Sequence, residues 1–238
     1  MDATNFWNLR HVHLRKVVLI LFLGFCYSQS SAQLNYLEKG QKTIYFGINM
    51  AVNMADFKIK PAVKGPYSDT ILTFDSKLAP GFNLGIIANY QFNKYFDLRF
   101  IPALSFSDKI LTYEDNRNRE IEQTISSIYL DFPLMIRFKS QPIRDVRIFV
   151  LLGVKYDFDL AANQTARQAD DIVKLKKHDF ALEYGFGFQI FFPYFVLSPE
   201  FKFSHGLMNI HEPSGTIYSR VIDQLFSRAF TISINFEG

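Results

Sequence analysis

The stretch Ile128-Tyr-Leu-Asp-Phe-Pro-Leu-Met-Ile-Arg-Phe138 decides how this chain folds. Ile128, Leu130, Phe132, Leu134, Ile136 and Phe138 take every second position, and Tyr129, Asp131, Pro133, Met135 and Arg137 fill the gaps. A period of two belongs to a β-strand, whose successive side chains point to opposite faces. One face of this strand is wholly apolar and the other carries two opposite charges. In water the apolar face turns inward; in lipid it turns outward. The rest of the chain chooses between them.

The same alternation recurs from Thr43 onward. Ile44, Phe46, Ile48, Met50 and Val52 form a first row; Phe82, Leu84, Ile86, Ala88, Tyr90 and Phe92 a second; Phe96, Leu98, Phe100 and Leu104 a third. After the strand quoted above come Ile148 to Phe158, Phe180 to Ile190, Phe195 to Phe203 and Phe230 to Phe236, each alternating with polar residues or glycine. The pattern predicts eight strands, an even number, as a closed membrane barrel needs.

The connections alternate in length. Asn93 to Tyr95, Ser140 to Val146 and Phe192-Pro193-Tyr194 are short; Met54 to Ser76, Ser107 to Glu122, Ala161 to Leu175 and Gly206 to Phe226 are long and polar. Outer-membrane barrels have short periplasmic turns and longer outer loops. The expected fold is therefore all-β, an eight-stranded antiparallel transmembrane barrel in a Gram-negative outer membrane. Asp97, Arg99, Asp131, Arg137, Lys155, Asp157, Asp159, Glu183, Glu200 and Lys202 then face the lumen, where both signs can pair. Inward Gly47, Gly85, Gly153, Gly185 and Gly187 leave room for them. A lipocalin-like barrel or a sandwich is the soluble alternative. Against it stand the aromatic ends of the apolar rows, Phe92, Phe96, Phe138, Tyr156, Phe158 and Phe236, which suit interfacial girdles.

At the start, Arg10, Arg15 and Lys16 precede the apolar run Val17 to Cys26 and then Ser30-Ser31-Ala32, the arrangement of a cleaved signal peptide. The expected organisation is a signal peptide at 1–32, a periplasmic segment at 33–42 and a barrel at 43–238. The run is too short for a spanning helix, which needs roughly 20 apolar residues. Formal charge is +3 for the whole chain, and most of the excess leaves with the signal, so bulk charge does not direct this protein to nucleic acid. The single cysteine, Cys26, and the single tryptophan, Trp7, leave too. Phe25 stands where a lipoprotein signal wants a small residue, and without Cys26 the mature chain has neither disulfides nor thiol chemistry.

Few residues suggest chemistry. Ser204-His205, with His211 and Glu212 nearby, is the one grouping that resembles a nucleophile beside a base, and a polar barrel rim explains it better. His178-Asp179 and Asp170-Asp171 lack the spacing of a closed metal site. Asp157 and Asp159 share a strand face with Lys155 and read as a salt-bridge network. Lys58, Lys60 and Lys64 in the first long connection are placed to meet lipopolysaccharide phosphate, but Asp56, Asp69 and Asp75 dilute them. The second connection, Glu114 to Glu120, is charge-mixed and reads as exposed. No catalytic, cofactor-binding or metal-binding residue is assigned, and no small-molecule ligand is expected. Eight strands enclose a space that side chains fill, which excludes a solute-conducting porin.

Four runs carry a resemblance: Phe46 to Phe57, Ile128 to Pro133, Gly153-Val-Lys-Tyr-Asp-Phe-Asp-Leu160, and Leu197-Ser-Pro-Glu-Phe-Lys-Phe-Ser-His-Gly-Leu-Met-Asn-Ile210. Together the chain resembles the PorT family, the outer-membrane barrel component of the type IX secretion system in Bacteroidetes. The resemblance implies a non-enzymatic subunit needed to export cargo with C-terminal sorting domains, and surface adhesins in gliding relatives. Its implied partners are outer-membrane lipid and other type IX components. His205 departs from the aromatic expected in its run. The rival classes are a lipid-modifying barrel enzyme using Ser204, His205 and His211, and a generic structural or adhesion barrel.

Overall fold

The computed structural model describes residues 43–61, 71–115, 120–160, 174–213 and 222–238. The expected signal peptide at 1–32 and periplasmic segment at 33–42 lie outside them, as do Lys64, Asp69 and Asp170-Asp171. Twelve strands are present among the described residues: β1 (Ile44–Pro61), β2 (Ile71–Lys77), β3 (Ala79–Gln91), β4 (Phe96–Phe100), β5 (Ala103–Asp115), β6 (Glu120–Lys139), β7 (Val146–Asp159), β8 (Lys174–Leu175), β9 (His178–Phe191), β10 (Val196–Gly206), β11 (His211–Glu212) and β12 (Ile222–Glu237).

Two breaks reduce the large sheet to a ring of eight. Lys77 stands opposite Ile110 and Gly81 opposite Ser107, so one extra residue at Leu78 bulges between β2 and β3 within a single long strand. β4 and β5 are likewise one strand. Phe100 faces Leu134 and Ala103 faces Asp131 in unbroken register, and only the amide hydrogen that Pro102 lacks interrupts the ladder. Ile101 N donates to Pro133 O at 3.2 Å, and Ile86 N donates to Pro102 O at 3.0 Å, across the break. The ring runs β1, β12, β10, β9, β7, β6, β4/β5, β2/β3, and the β1–β3 pairing, Ile44↔Tyr90 to Ala55↔Ala79, closes it. Closure pairs the backbone polar groups between strands, which is the condition for a sheet to sit in lipid. The eight strands and the antiparallel closure agree with the sequence.

Side-chain polarity is that of a membrane barrel. Ile86 is 64% exposed on the outer wall while its neighbour Ile87 is 0% exposed in the lumen. The apolar rows point outward on every strand of the ring; Asp97, Arg99, Asp131, Arg137, Asp157, Asp159, Glu183, Glu200 and Lys202 are buried inside. Aromatic pairs ring the wall at both ends. Phe96–Phe138 (5.1 Å), Phe192–Phe195 (5.0 Å) and Phe195–Phe236 (5.9 Å) mark the end with the short turns. Tyr156–Phe180 (4.9 Å), Tyr184–Phe203 (5.8 Å) and Phe203–Phe230 (5.0 Å) mark the end with the long hairpins.

One expectation needs correcting. Met54 to Ser76 and Ser107 to Glu122 are not loops throughout: β1 continues to Pro61, β2 begins at Ile71, and β5 and β6 extend to Asp115 and back from Glu120. Above Met54 the lumen turns apolar. Inward-facing Phe57, Leu111, Ile125 and Leu225 pack with Ile210 and Ile222 into a small core, and Ile59 and Leu175 lie against it. The same closed sheet thus changes polarity along its length, because its surroundings change from lipid to water.

Candidate functional site

Where a pore would pass, the lumen holds a charged cluster built from six strands. Arg99 of β4 donates to Glu200 of β10, to Glu237 of β12 at 2.5 Å and to Asn89 of β3 at 2.9 Å. Arg137 of β6 pairs with Asp97 at 2.5 Å and with Glu237 at 3.3 Å, and it also donates to Tyr45 of β1, whose hydroxyl donates to Asp97 at 2.9 Å. Lys139 lies 2.6 Å from the other Asp97 oxygen. Both guanidiniums lie against the Phe149 ring, at 5.8 Å for Arg99 and 5.0 Å for Arg137. Asp97, Arg99, Arg137, Lys139 and Glu200 are all 0% exposed, so no water-filled path crosses this layer.

The inward glycines serve close packing more than charge. A Cβ on Gly47, Gly153 or Gly185 would strike a backbone carbonyl of the neighbouring strand, at Phe236, Leu134 and Phe201 respectively. Gly187 opens the space that the Phe149 ring occupies. Sequence parity placed these residues inside; that their small size serves the approach of neighbouring strands appears only in three dimensions.

Nearer the hairpin end a second polar group surrounds a cavity of about 40 Å³, room for three or four waters at ~10–15 Å³ each. Lys109, Tyr129, Asp131, Lys155, Asp157 and Asp179 line it. Lys155 bridges Asp157 at 2.9 Å, Ser227 donates to Asp179, and Lys109 donates to the Tyr129 hydroxyl at 3.3 Å while lying over the Phe57 ring at 4.8 Å. Asp131 faces Asp157 across the β6–β7 ladder. Leu175 and Ile210 close the cavity toward the apolar core above it.

The candidate nucleophile and base come apart. Ser204 is buried in the lumen. His205 points to the outer wall, where its Nε2 lies 3.0 Å from the Tyr184 hydroxyl and its ring stands 5.7 Å from that of Tyr184. A sheet lies between them, so Ser204 and His205 cannot share a proton. His211 sits in the β8–β11 pair opposite Leu175, buried, with its amide donating to Asn209 Oδ1 at 3.1 Å. Burial holds the His211 imidazole below the usual histidine range, and the nearby Asp223 opposes that shift. His178 and Asp179 also divide between the faces: His178 is on the wall, 2.6 Å from the Tyr156 hydroxyl, and Asp179 is inside. Among the described residues no group of three or more His, Cys, Asp or Glu is arranged to hold a metal.

Lys58 and Lys60, expected in a loop, stand on the outward row of β1. Asp56 of the same row is held by Arg228 through Nε at 3.0 Å and Nη2 at 2.5 Å. Sequence reasoning missed Arg228, which lies more than a hundred residues away and meets Asp56 only when the first and last strands close the ring.

A protein-family model for an outer membrane protein beta-barrel domain matches residues 27–212. No curated protein sequence matches the chain. Among solved structures, the outer membrane protein OprG from Pseudomonas aeruginosa is similar at 12% identity and a TM-score of 0.47, over 82% of this chain and 94% of that one. Neisserial surface protein A is similar at 11% identity and a TM-score of 0.42, over 82% and 97%. Ail, the attachment invasion locus protein of Yersinia pestis, is similar at 14% identity and a TM-score of 0.35, over 83% and 100%. The chain belongs to the outer membrane protein beta-barrel domain family, and its place is the outer membrane.

Proposed function

We propose that this family member is a non-enzymatic subunit of a type IX protein secretion system, exported with residues 1–32 removed, and needed for the release of cargo that carries C-terminal sorting domains. It acts through assembly or translocon contacts, with outer-membrane lipid and other components of that system as partners, and not as the conduit. The observation that carries this mode of action is the water-excluding layer around Arg99, Arg137 and Glu237: a barrel filled in this way passes neither a folded protein nor a solute. The system itself is suggested by the PorT-like runs at Gly153–Leu160 and Leu197–Ile210. Separation of Ser204 from His205 by the barrel wall weighs against the lipid-modifying alternative.

The test is the partition of type IX cargo between periplasm and medium after deletion of the gene, with an intact copy restored as control. Cargo held in the periplasm and released on restoration is the expected result. Unchanged secretion rejects the proposal and leaves a structural or adhesion barrel. His205→Ala and His211→Ala copies should restore export as well as the intact gene, whereas an enzyme relying on either residue would fail to.

A further inference from the structure

The lipid-facing rows end in charge at one level on adjoining strands. β1 presents Ile44, Phe46, Ile48, Met50, Val52 and Met54 outward, and then Asp56, Lys58 and Lys60. At ~3.3 Å per residue and a tilt of about 40°, Ile44 to Met54 rise about 25 Å, the height of the apolar band of an outer-membrane barrel. β12 repeats the step, from Phe236, Ile234, Ile232 and Phe230 to Arg228, and β10 from Phe201 and Phe203 to His205. The registers Asp56↔Arg228 and Arg228↔His205 put the three steps side by side.

The patch this makes is cationic and looks sideways. Arg228 takes up Asp56, its one carboxylate. Lys60 Nζ donates to Gln224 at 3.0 Å and lies 5.1 Å from the centre of the Phe226 ring. Lys58 has no carboxylate partner among the described residues. Three cations face Asp56 and, on the adjoining β2, exposed Asp75, which leaves a surplus of one on a wall whose lower part, on these strands, carries no charge. His205 and Tyr184, 3.0 Å apart, border it as hydrogen-bonding groups.

We propose that this patch binds the phosphate groups of a phosphorylated lipid of the outer leaflet. The reasons are position and chemistry. The side chains project from lipid-facing rows, at the height where hydrocarbon gives way to headgroups, so their lateral neighbour is a lipid. Ammonium and guanidinium groups are the side chains that recognise phosphate. Phe203, Phe226 and Phe230 beside and below the patch offer the surface that acyl chains cover.

The experiment uses the mature protein in nanodiscs of phosphatidylcholine carrying a small fraction of either diphosphoryl lipid A or the same lipid with its phosphates removed. Retained lipid is counted by mass spectrometry at low salt. The intact protein should retain the phosphorylated form preferentially. Near an anionic surface each lysine contributes about fivefold, so Lys58→Gln with Lys60→Gln should lower retention by about 25-fold. Asp56→Asn, which frees Arg228, should raise it, and Lys94→Gln in a turn at the opposite end should change nothing. Lys58, Lys60 and Lys94 are exposed and Asp56 is part-buried against Arg228, and heat-dependent gel mobility verifies folding of each variant. Equal retention of the two lipids, or a double lysine variant that keeps the preference, overturns the proposal. So does displacement of the lipid by millimolar inorganic phosphate, which would assign the patch to a soluble anion.

Discussion

Replacing Glu237 by glutamine tests whether the lumen is held by charge balance. Glu237 Oε1 accepts from Arg99 at 2.5 Å and Arg137 at 3.3 Å, and Oε2 accepts from Asn89 at 3.2 Å. The cations buried in this layer are Arg99, Arg137, Lys139 and Arg147; the carboxylates are Asp97, Glu200 and Glu237. Glutamine keeps the shape and removes the negative charge that lies between the Arg99 and Arg137 guanidiniums. Removing one partner of a buried ion pair costs about 3–5 kcal/mol. Here Arg99 keeps Glu200 and Asn89, and Arg137 keeps Asp97, Tyr45 and the Phe149 ring, which places the expected loss at the lower end, about 3 kcal/mol. That is a large share of a total stability of about 5–15 kcal/mol.

The assay is urea unfolding of the protein in phosphatidylcholine vesicles, followed by the circular dichroism of its strands, because Trp7, the only tryptophan of the sequence, lies outside the described strands. Adding Arg137→Met removes one of the cations that Glu237 neutralised. The double variant should then be more stable than the sum of its single losses predicts, by about 1 kcal/mol or more, as coupled neighbours are. A Glu237→Gln loss below about 1 kcal/mol, or strict additivity of the pair, would refute the reasoning from charge balance.

Three further outcomes follow from the wall, the strand spacing and the cap. Ile86→Arg, midway along an outward row, should cost about 2–4 kcal/mol in vesicles, and Met54→Arg at the edge of the band about 0–1 kcal/mol; equal costs would contradict the assigned depth. Gly153→Ala places a methyl against the Leu134 carbonyl oxygen and 2.6 Å from Met135 Cα, and should lower stability by about 1–3 kcal/mol in the same urea assay, an effect that a glycine retained only for space beside charged side chains would not show. Burial lowers the His211 pKa in the folded state, so its contribution is present above the usual histidine value of about 6.5 and is lost as pH falls below it. Protection of residues 207–213 against hydrogen exchange, taken relative to the intrinsic rate at each pH, should therefore fall at mildly acid pH, and His211→Asn should remove that dependence.

Most of the barrel was legible because lipid and lumen impose opposite demands on alternate residues. Ile86 and Ile87 show the limit of such a reading: both are isoleucine, and parity alone sends one to lipid and the other inside. The upper halves of β1, β5, β6 and β12 were illegible for a related cause. In β1 the apolar residues occupy even positions from Ile44 to Met54 and then odd positions at Phe57 and Ile59, while the backbone keeps its alternation throughout. Read as sequence, that change of phase looks like the end of a strand. The ion pairs were hidden differently. Asp97 and Arg137 are direct cross-strand neighbours, but Glu237 reaches Arg137 from the far end of the chain, and only the closed ring brings them together.

The inversion near Met54 also constrains how the protein meets a partner. Within the membrane band, lipid covers the outward apolar rows, and the lumen can be filled with charge. Above the band the outward rows must be polar, so the apolar burial that holds the extended strands together has to come from inside, from Phe57, Leu111, Ile125 and Leu225. On β1, β2, β6 and β12 the described extramembrane wall shows Lys58, Lys60, Arg228 and the Lys77–Glu122 pair, 2.5 Å apart, while Leu207 and Met208 stand exposed at the end of β10. A protein docking on this wall meets charge first. Such contacts weaken as salt shortens the range of electrostatic attraction, so any complex formed through it should dissociate on raising ionic strength well before the barrel itself is perturbed.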